Sequence, residues 1–336
     1  MSGGNVSYNL RPNKFVERQL FVELLSILFV GVPNEQIVYV SMGGPQLEDH
    51  RLVHQRLGCQ NLISLEANEI VYGRQQFNLR PSYIKCNQSS VSDFVANFDT
   101  FYSEFTDHRK VIWFDYASPR ERFEQLTEYE TILKQLEDGD ILKITMNANP
   151  RTLGEQRKDE TIQEIQEIRK EALLSQLGPL ISKDLQSEQV TKNNLPSVLA
   201  SAIKKVSIHA LENFKGFTPM LLGLFVYQDG PHQMLTATVR VTAHRDIDSV
   251  RNQLETGGWE YLTVPSNWQD VRRINVPNLS AKERLLLEEK LFTASHEEVH
   301  ANLPFRFHTN ENISLHMLQE YAQHYRRYPS YFQVIL

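Results

Sequence analysis

Short apolar segments alternate with longer amphipathic ones in the first half of the chain, and this pattern restricts the fold most. Five runs of four to seven apolar or β-branched residues lie at 36–41, 61–66, 83–86, 110–115 and 140–146. The stretches between them are long enough for helices, which we predict at 47–57, 70–77, 90–98 and 120–136. Strands that alternate with helices at this spacing form βαβ units, so the chain predicts a parallel sheet with helices on both faces.

The segments before and after this region extend the prediction. An amphipathic helix is predicted over 15–32, with Asn13 as its N-cap. Two β-rich runs at 219–227 and 233–241, separated by a turn with Gly230, predict an antiparallel hairpin. The predicted architecture is therefore an α/β, Rossmann-like fold with a mixed sheet of about seven strands, of which the first five are parallel.

Composition and charge divide the chain further. We predict a domain over 1–245 that contains a charged helical insertion at 151–215. A helical C-terminal region follows at 246–336, with helices at 280–292, capped by Ser280, and at 312–325.

The composition excludes several classes of protein. Hydrophobic residues make up 41% of the 336 residues, which is enough for a buried core and argues against a disordered chain. The formal charge of −6 argues against binding nucleic acid by bulk electrostatics. Glu17, Arg18 and Glu23 interrupt the most apolar N-terminal run, so it predicts no membrane span. Two cysteines, Cys59 and Cys86, are too few for a disulfide framework and favour a cytoplasmic location.

Distinctive residues follow the ends of the predicted parallel strands, where ligands bind in such sheets. They are Gly43 and Gly44 after the first strand, Glu66 after the second, Ser90 after the third and Asp115 after the fourth. Glu66 lies 22 positions after Gly44, a spacing typical of an acid that binds a ribose hydroxyl. Taken singly, the glycines are also consistent with a tight turn and the acids with helix caps. Together they predict a nucleoside-containing cofactor.

The loop after the first strand indicates which cofactor. Gly43 and Gly44 are adjacent and precede Pro45, so the GxGxxG spacing of dinucleotide-binding folds is absent. Glu48 and Asp49 follow and would repel a diphosphate. The chain also contains no GxxxxGK[ST] sequence of the kind that binds nucleotide phosphates. A cofactor without phosphate that carries an ammonium group fits better, and S-adenosylmethionine is such a cofactor.

Four segments carry a resemblance to a known family: YVSMGGPQLEDHRLVHQRLG, LISLEAN, VIWFDYASP and GDILKITMNANP. They resemble class I S-adenosylmethionine-dependent methyltransferases and, more narrowly, a group of bacterial O-methyltransferase-like proteins. The resemblance implies that Gly43 and Gly44 border the methionine moiety and that Glu66 binds the ribose. It also implies that Ser90 meets the adenine and that Asp115 faces the transferred methyl group. The sequence departs from the family at Ser41, where the usual first motif has a further glycine.

Methyl transfer to a hydroxyl requires alignment of the acceptor and removal of its proton. Asp115 is the candidate base or metal-independent positioning group, and we expect Tyr116 and Asn147 to line the acceptor side. The alternative for Asp115 is an N-cap of the following helix. For Tyr116 and Asn147 the alternative is ordinary packing and turn chemistry. The sequence does not identify the acceptor.

Two other functions compete with the enzyme. A scaffold protein that binds S-adenosylmethionine or a nucleoside without turnover fits the altered first motif, with 151–215 as a docking region for a protein partner. The sequence at 296–300 matches HExxH, in which His296 and His300 bind zinc, Glu297 acts as the base and Glu320 is a candidate third ligand. The charge at Glu298 and the nearby Pro304 argue against this peptidase, and the predicted methyltransferase site contains no metal.

Overall fold

The structure is a computed structural model that describes residues 10–78, 83–261 and 268–330. Five strands alternate with helices through the first half of the chain, as predicted. The strands are β1 (Ile37–Met42), β2 (Asn61–Leu65), β3 (Ile84–Asn87), β4 (Arg109–Asp115) and β5 (Ile141–Asn147). The helices before and between them are α1 (Pro12–Leu28), α2 (Glu48–Leu57), α3 (Glu69–Asn78), α4 (Val91–Ala96), α5 (Phe98–Glu104) and α6 (Arg122–Leu133).

The sheet is mixed, as the sequence predicts. Its strand order is β3-β2-β1-β4-β5-β7-β6-β8, and the first five strands are parallel to their neighbours. The predicted hairpin is confirmed as β6 (Phe217–Asp229) and β7 (His232–Ala243). β7 runs antiparallel to β5, from the pair Ile141–Arg240 to the pair Asn147–Met234. A short strand, β8 (Arg272–Ile274), makes the sheet eight-stranded in the described residues, one more strand than the sequence indicates.

The two faces of the sheet differ in chemistry because side chains alternate along each strand. One face carries Val38, Val40, Ile112 and Phe114 into the main core, where they pack with α4, α5 and α6. On the opposite face the register aligns Ser41 with Ser64 and with Trp113. Helices α2 and α3 cover this second face. It is the more polar of the two because it carries Ser41 and Ser64.

The segment 151–215 contains two long helices, α7 (Ile162–Leu177) and α8 (Leu195–Leu211). Leu199, Ile203 and Val206 of α8 belong to the main core and are at most 2% exposed. The hydroxyls of Tyr129 on α6 and Ser207 on α8 lie 3.0 Å apart. Part of this predicted insertion therefore packs within the core.

The described residues divide into two compact units. The larger one comprises 22–226 and 232–272, and the smaller one comprises 10–21, 227–231 and 273–330. The predicted cofactor and catalytic residues all lie in the larger unit. Within the described ranges, no helix is both long and apolar enough to cross a membrane.

The remaining helices are α9 (Ile247–Thr256), α10 (Ala281–Leu291), α11 (His296–Ala301) and α12 (Glu311–His324). The prediction that Ser280 caps α10 is confirmed, since its hydroxyl accepts a hydrogen bond from the Glu283 amide. The prediction that Asn13 caps α1 is wrong. Asn13 follows the first residue of the helix, and its side chain binds Asp229 and the amide of Val276 in the smaller unit.

Candidate functional site

The carboxyl ends of the parallel strands bring the predicted site residues to one edge of the sheet. β1 lies between β2 and β4, and Asp115 at the end of β4 is aligned with Thr145 of β5. Gly43, Glu66 and Asn147 therefore lie at this same edge, at or just beyond the ends of β1, β2 and β5.

The loop after β1 is held by hydrogen bonds from α3. Gln75, which is fully buried, donates from Nε2 to the carbonyl of Gly43 at 2.5 Å and to that of Gly44 at 3.3 Å. Its Oε1 accepts a hydrogen bond from Ser64 Oγ. A β-carbon on Gly43 would lie 2.1 Å from that hydroxyl, so a side chain at this position requires Ser64 to move. Glycine at this position is thus explained by packing against β2.

Leu47 ends the loop in an unusual conformation. Its φ of 54° makes it the one non-glycine residue with a positive φ in the part of the chain that the structure describes. The side chain is fully buried, and its amide donates to the carbonyl of Gly44 at 3.1 Å. The backbone between β1 and α2 is therefore fixed by burial of Leu47 and by the bonds from Gln75.

Ser41 occupies the position where the resemblance expects a glycine. The residue is 1% exposed, and its hydroxyl has no hydrogen-bond partner among the described residues. A buried hydroxyl without a partner is unfavourable, because it loses its bonds to water without replacing them. Ser41 lies two residues before Gly43, so this unsatisfied hydroxyl is buried next to the Gly43–Gly44 loop.

Glu66 follows the last residue of β2 and is partly buried. Its Oε1 accepts a hydrogen bond from the amide of Asn68 at 2.8 Å, whereas Oε2 accepts none from any described residue. Burial raises the pKa of this carboxyl group, and the bond from Asn68 partly offsets that effect. One oxygen is therefore fixed by the backbone, and the other has no hydrogen-bond partner among the described residues.

Ser90 has a structural role in the described residues. Its hydroxyl accepts from the amide of Asp93 at 3.0 Å, and the Asp93 carboxylate accepts from the Ser90 amide at 3.0 Å. This reciprocal arrangement is a capping box at the start of α4. Both the amide and the hydroxyl of Ser90 are therefore engaged at the start of α4, and the adenine contact of Ser90 stays a prediction.

Asp115 is the last residue of β4 and is partly buried. The next helix, α6, begins at Arg122 with Glu121 as its N-cap. The alternative interpretation of Asp115 as the cap of that helix is therefore wrong, because the loop 116–121 separates the two. Neighbouring bonds fix the strand end: Trp113 donates from Nε1 to Thr145 Oγ1 at 2.9 Å, and the amide of Tyr116 donates to the Thr145 carbonyl.

Tyr116 points toward the core face, as the alternation along β4 requires. The residue is 7% exposed, and its hydroxyl donates to Glu128 of α6 at 2.5 Å. Burial, followed by the charge of Glu128, raises the pKa of this phenol well above its usual range. The Tyr116 hydroxyl is thus bound to Glu128 of α6 on the core face, whereas Asp115 lies on the opposite face of the sheet.

Asn147 ends β5 on the same sheet face as Asp115. It is 3% exposed, its Oδ1 accepts from the amide of Asn149 at 3.0 Å, and its Nδ2 donates to no described residue. Its main-chain carbonyl accepts two bonds from Arg122, at 3.2 Å from Nε and 2.9 Å from Nη2. Asn147 is therefore held through its backbone, which leaves its amide nitrogen available at the edge.

Arg122 is a buried residue that the sequence analysis missed. The guanidinium also donates to the Pro119 carbonyl, to Gln176 Oε1 and to Thr152 Oγ1, at 2.5, 2.6 and 2.9 Å. All of these acceptors are uncharged, and burial lowers the pKa of Arg122 to about 10. Arg122 thus joins the loop after β4, the end of β5 and helix α7. In the sequence its only signal is an arginine at the start of an amphipathic helix, which resembles an exposed one.

Comparison with known proteins identifies the family. A family model described as "Putative O-methyltransferase" matches residues 6–336. The chain belongs to this family. The membership confirms the resemblance to class I methyltransferases inferred from the sequence, whose cofactor is S-adenosylmethionine. A search of curated proteins finds no match.

Solved structures similar to this chain include other methyltransferases. The N-methyltransferase NodS from Bradyrhizobium japonicum is 14% identical, with a TM-score of 0.34 over 68% of this chain and 97% of that one. Trm1 from Pyrococcus horikoshii, solved with S-adenosyl-L-methionine, is 14% identical, with a TM-score of 0.40 over 73% of this chain and 59% of that one. The plantazolicin methyltransferase BpumL, solved with SAH, is 11% identical, with a TM-score of 0.37 over 67% and 84%.

The HExxH segment of this O-methyltransferase family member forms α11, a helix of six residues in the smaller unit. His300 is buried and its Nε2 lies 3.0 Å from Ser314 Oγ, whereas His296 Nε2 lies 2.9 Å from the Gln319 amide nitrogen. Glu320 accepts from the amide of Asn275. No group of three or more His, Cys, Asp or Glu residues is arranged to hold a metal ion in the described residues. The contacts of these histidines are those of packed helices.

Proposed function

We propose that this protein transfers a methyl group from S-adenosylmethionine to a hydroxyl group of an acceptor, at the carboxyl edge of β1, β2, β4 and β5. Family membership supports methyl transfer, and the observation that carries the proposal is the carboxylate of Glu66. It has one oxygen fixed by the backbone and one without a partner among the described residues, directly beyond β2.

The residues at this edge fit the cofactor. The Gly43–Gly44 loop presents backbone beside the buried, unpartnered hydroxyl of Ser41. Glu66 Oε2 is placed to accept from a ribose hydroxyl, and the loop after β3 lies beside it because the amide of Ser89 donates to the Glu66 carbonyl at 3.2 Å. When bound, S-adenosylmethionine supplies a methyl group activated by a positively charged sulfur.

Asp115 and Asn147 act on the acceptor in this proposal. Both lie on the same sheet face, at the ends of adjacent strands. The Asp115 carboxylate accepts the proton of the hydroxyl or orients it, and the Asn147 amide nitrogen donates to an acceptor oxygen. Thr145 and Trp113 keep the end of β4 in place, since the indole of Trp113 binds the hydroxyl of Thr145.

Calorimetry with S-adenosylmethionine and with S-adenosylhomocysteine tests the proposal. We expect saturable binding of both with a stoichiometry of one per chain. Absence of binding by the folded protein would contradict the proposed function.

A second candidate function is a scaffold that binds the cofactor without methyl transfer, with 151–215 as the docking region for a partner. The observation that favours it is Ser41, whose buried side chain replaces the family's usual glycine. Binding of S-adenosylmethionine without formation of S-adenosylhomocysteine, across hydroxyl, carboxyl and amine acceptors, would favour the scaffold.

A further inference from the structure

The turn that follows β5 carries an arginine that nothing in the described chain neutralises. Residues Pro150–Leu153 form a single 3₁₀ turn, and the amide of Arg151 donates to Asn149 Oδ1 at 3.1 Å. The amide of Asn149 in turn donates to Asn147 Oδ1 at 3.0 Å. Two consecutive hydrogen bonds therefore fix the backbone at Arg151 relative to Asn147, which lies at the proposed acceptor side.

A second arginine lies at the same turn. Arg169 of α7 donates from Nε to the carbonyl of Gly154 at 2.9 Å, directly after the turn. Burial lowers the pKa of Arg169, and the positive charge of Arg151 lowers it further. Two positive charges at one turn repel each other, and an anion bound by both would offset that repulsion.

Neighbouring cations are paired, and these two are not. Arg157 pairs with Glu160 at 3.8 Å, and Lys170 pairs with Glu167 at 2.5 Å. Neither Arg151 nor Arg169 forms an ion pair with a described residue. The guanidinium of Arg151 makes no hydrogen bond there either, and Arg169 uses only Nε. Glu160 and Glu167 thus pair with other cations, and Arg151 and Arg169 keep no ion-pair partner among the described residues.

Arg122 adds positive charge beside the turn without a compensating carboxylate. It donates to Thr152 Oγ1 within the turn at 2.9 Å, and every acceptor that it binds is uncharged. Arg122 is itself fully buried, so it adds charge beneath the turn and leaves Arg151 and Arg169 as the cations that solvent reaches.

We propose that Arg151 and Arg169 bind an oxyanion, a carboxylate or a phosphate group, on the methyl acceptor. The inference rests on the proposed function, and it defines the acceptor as a molecule with a hydroxyl at Asp115 and a negative charge toward α7. Planar guanidinium groups suit this task because they form paired hydrogen bonds to carboxylate and phosphate oxygens. The terminal nitrogens of both arginines are available for such bonds.

Binding of matched small phenols to the protein loaded with S-adenosylhomocysteine tests the inference. The probes are 4-hydroxybenzoate, 4-hydroxyphenyl phosphate and the neutral 4-methylphenol, measured by ligand-observed NMR titration. We expect one or both anions to bind at least about tenfold more tightly than the neutral phenol, as charge-assisted hydrogen bonds predict. The stronger of the two anions identifies the acceptor group as a carboxylate or a phosphate.

Substitutions assign the anion to these arginines. Arg151→Gln should remove most of the preference for the anion and leave the neutral phenol unaffected. Arg151→Lys should restore part of it, because the charge returns without the planar group. The matched control is Arg245→Gln, which removes the same charge from a side chain that is 85% exposed. Arg245 follows β7, which is antiparallel to β5, and therefore lies toward the opposite edge of the sheet.

The possible failures are distinguishable. If the unmodified protein does not bind S-adenosylhomocysteine, that result contradicts the proposed function. Normal S-adenosylhomocysteine binding, with anions bound no better than the neutral phenol or not at all, would overturn this inference alone. An equal loss of anion binding in Arg151→Gln and Arg245→Gln would also overturn it, because the effect would then be one of overall charge.

Discussion

A β-carbon added to Gly43 would lie 2.1 Å from the Oγ of Ser64. The two residues belong to the loop after β1 and to the neighbouring strand β2, and Gln75 binds both of them. The glycine that the resemblance places beside the methionine moiety is therefore also required by the packing of the protein itself. A substitution at Gly43 should therefore displace the loop after β1, whether or not a ligand is bound.

Gly43→Ala should lower the free energy of unfolding by about 1–3 kcal/mol, the usual cost of adding a methyl group to a packed interior. Urea unfolding of the purified protein measures this. The control is Gly73→Ala, at a helical position where a β-carbon meets nothing within 4 Å and where alanine should stabilise by roughly 0.5–1 kcal/mol. Adding Ser64→Ala to Gly43→Ala should recover part of the loss, and equal stability of Gly43→Ala and the unmodified protein would refute the packing argument.

Glu66→Ala should weaken S-adenosylmethionine binding by about 1.5–3 kcal/mol, the range for hydrogen bonds to a charged group. Calorimetry measures the affinity, with Glu69→Ala, an exposed acid in the first turn of α3, as the control. Affinity should also fall as the pH falls through the raised pKa of Glu66, because protonation removes the negative charge that strengthens the hydrogen bond. Glu66→Gln should lose this pH dependence. Unchanged affinity in folded Glu66→Ala would remove the ribose assignment.

Asp115→Asn should reduce methyl transfer by roughly 100-fold or more, the scale of general base catalysis, and leave cofactor affinity nearly intact. The two quantities are measured as product formation on an identified acceptor and by calorimetry. Asp99→Asn, an exposed residue of α5, is the matched control. Full turnover by Asp115→Asn would leave this residue without a catalytic role.

We predict that the stability of the protein decreases in acid because of His324, which lies in the smaller unit. Burial lowers its pKa from the ordinary 6.5 to about 4, so between these values the unfolded chain binds a proton that the folded chain does not. Stability should therefore fall as the pH falls from 6.5 toward 4, by up to roughly 3 kcal/mol. Urea unfolding of His324→Gln at several pH values should show a flatter profile in this window. A parallel profile for the two proteins would exclude His324 as the cause.

If His296 and His300 have structural roles only, replacing each of them should destabilise the protein to a different extent. His300→Ala removes a buried bond to Ser314 and should destabilise by about 1–3 kcal/mol, whereas His296→Ala, at a partly exposed side chain, should cost less. Metal analysis and thermal unfolding of the purified protein provide the readouts. Stoichiometric zinc that is lost in both variants would instead support the peptidase.

The sequence predicted the sheet well because each central strand is a short apolar run that ends at a turn or an acid. β1 and β4 are buried on both faces, which gives them a continuous apolar character that a sequence pattern detects. β8 has three residues, one of them exposed, and no periodicity distinguishes it from a loop. The location of the candidate site could also be predicted, because the residues that follow parallel strands meet at one edge of the sheet.

The roles of individual side chains were harder to predict from the sequence, because they depend on partners that are distant in the sequence. Ser90 binds Asp93 nearby, a capping box that the sequence contains, but the contact of Tyr116 with Glu128 requires the placement of α6. Arg122 depends on Gln176, which lies 54 positions later. Such long-range contacts have no periodic signal, so the sequence could not show that an arginine is buried.

The connection from β5 to α7 through Arg122 bears on how a shortened protein would behave. A truncation that joins 150 to 216 removes Thr152 and Gln176, leaving a buried guanidinium without two of its acceptors, and exposes the apolar surface that α8 covers. Loss of acceptors for a buried charge and loss of core contacts both favour aggregation over folding. A shortened form of this protein must therefore retain 151–215 to fold.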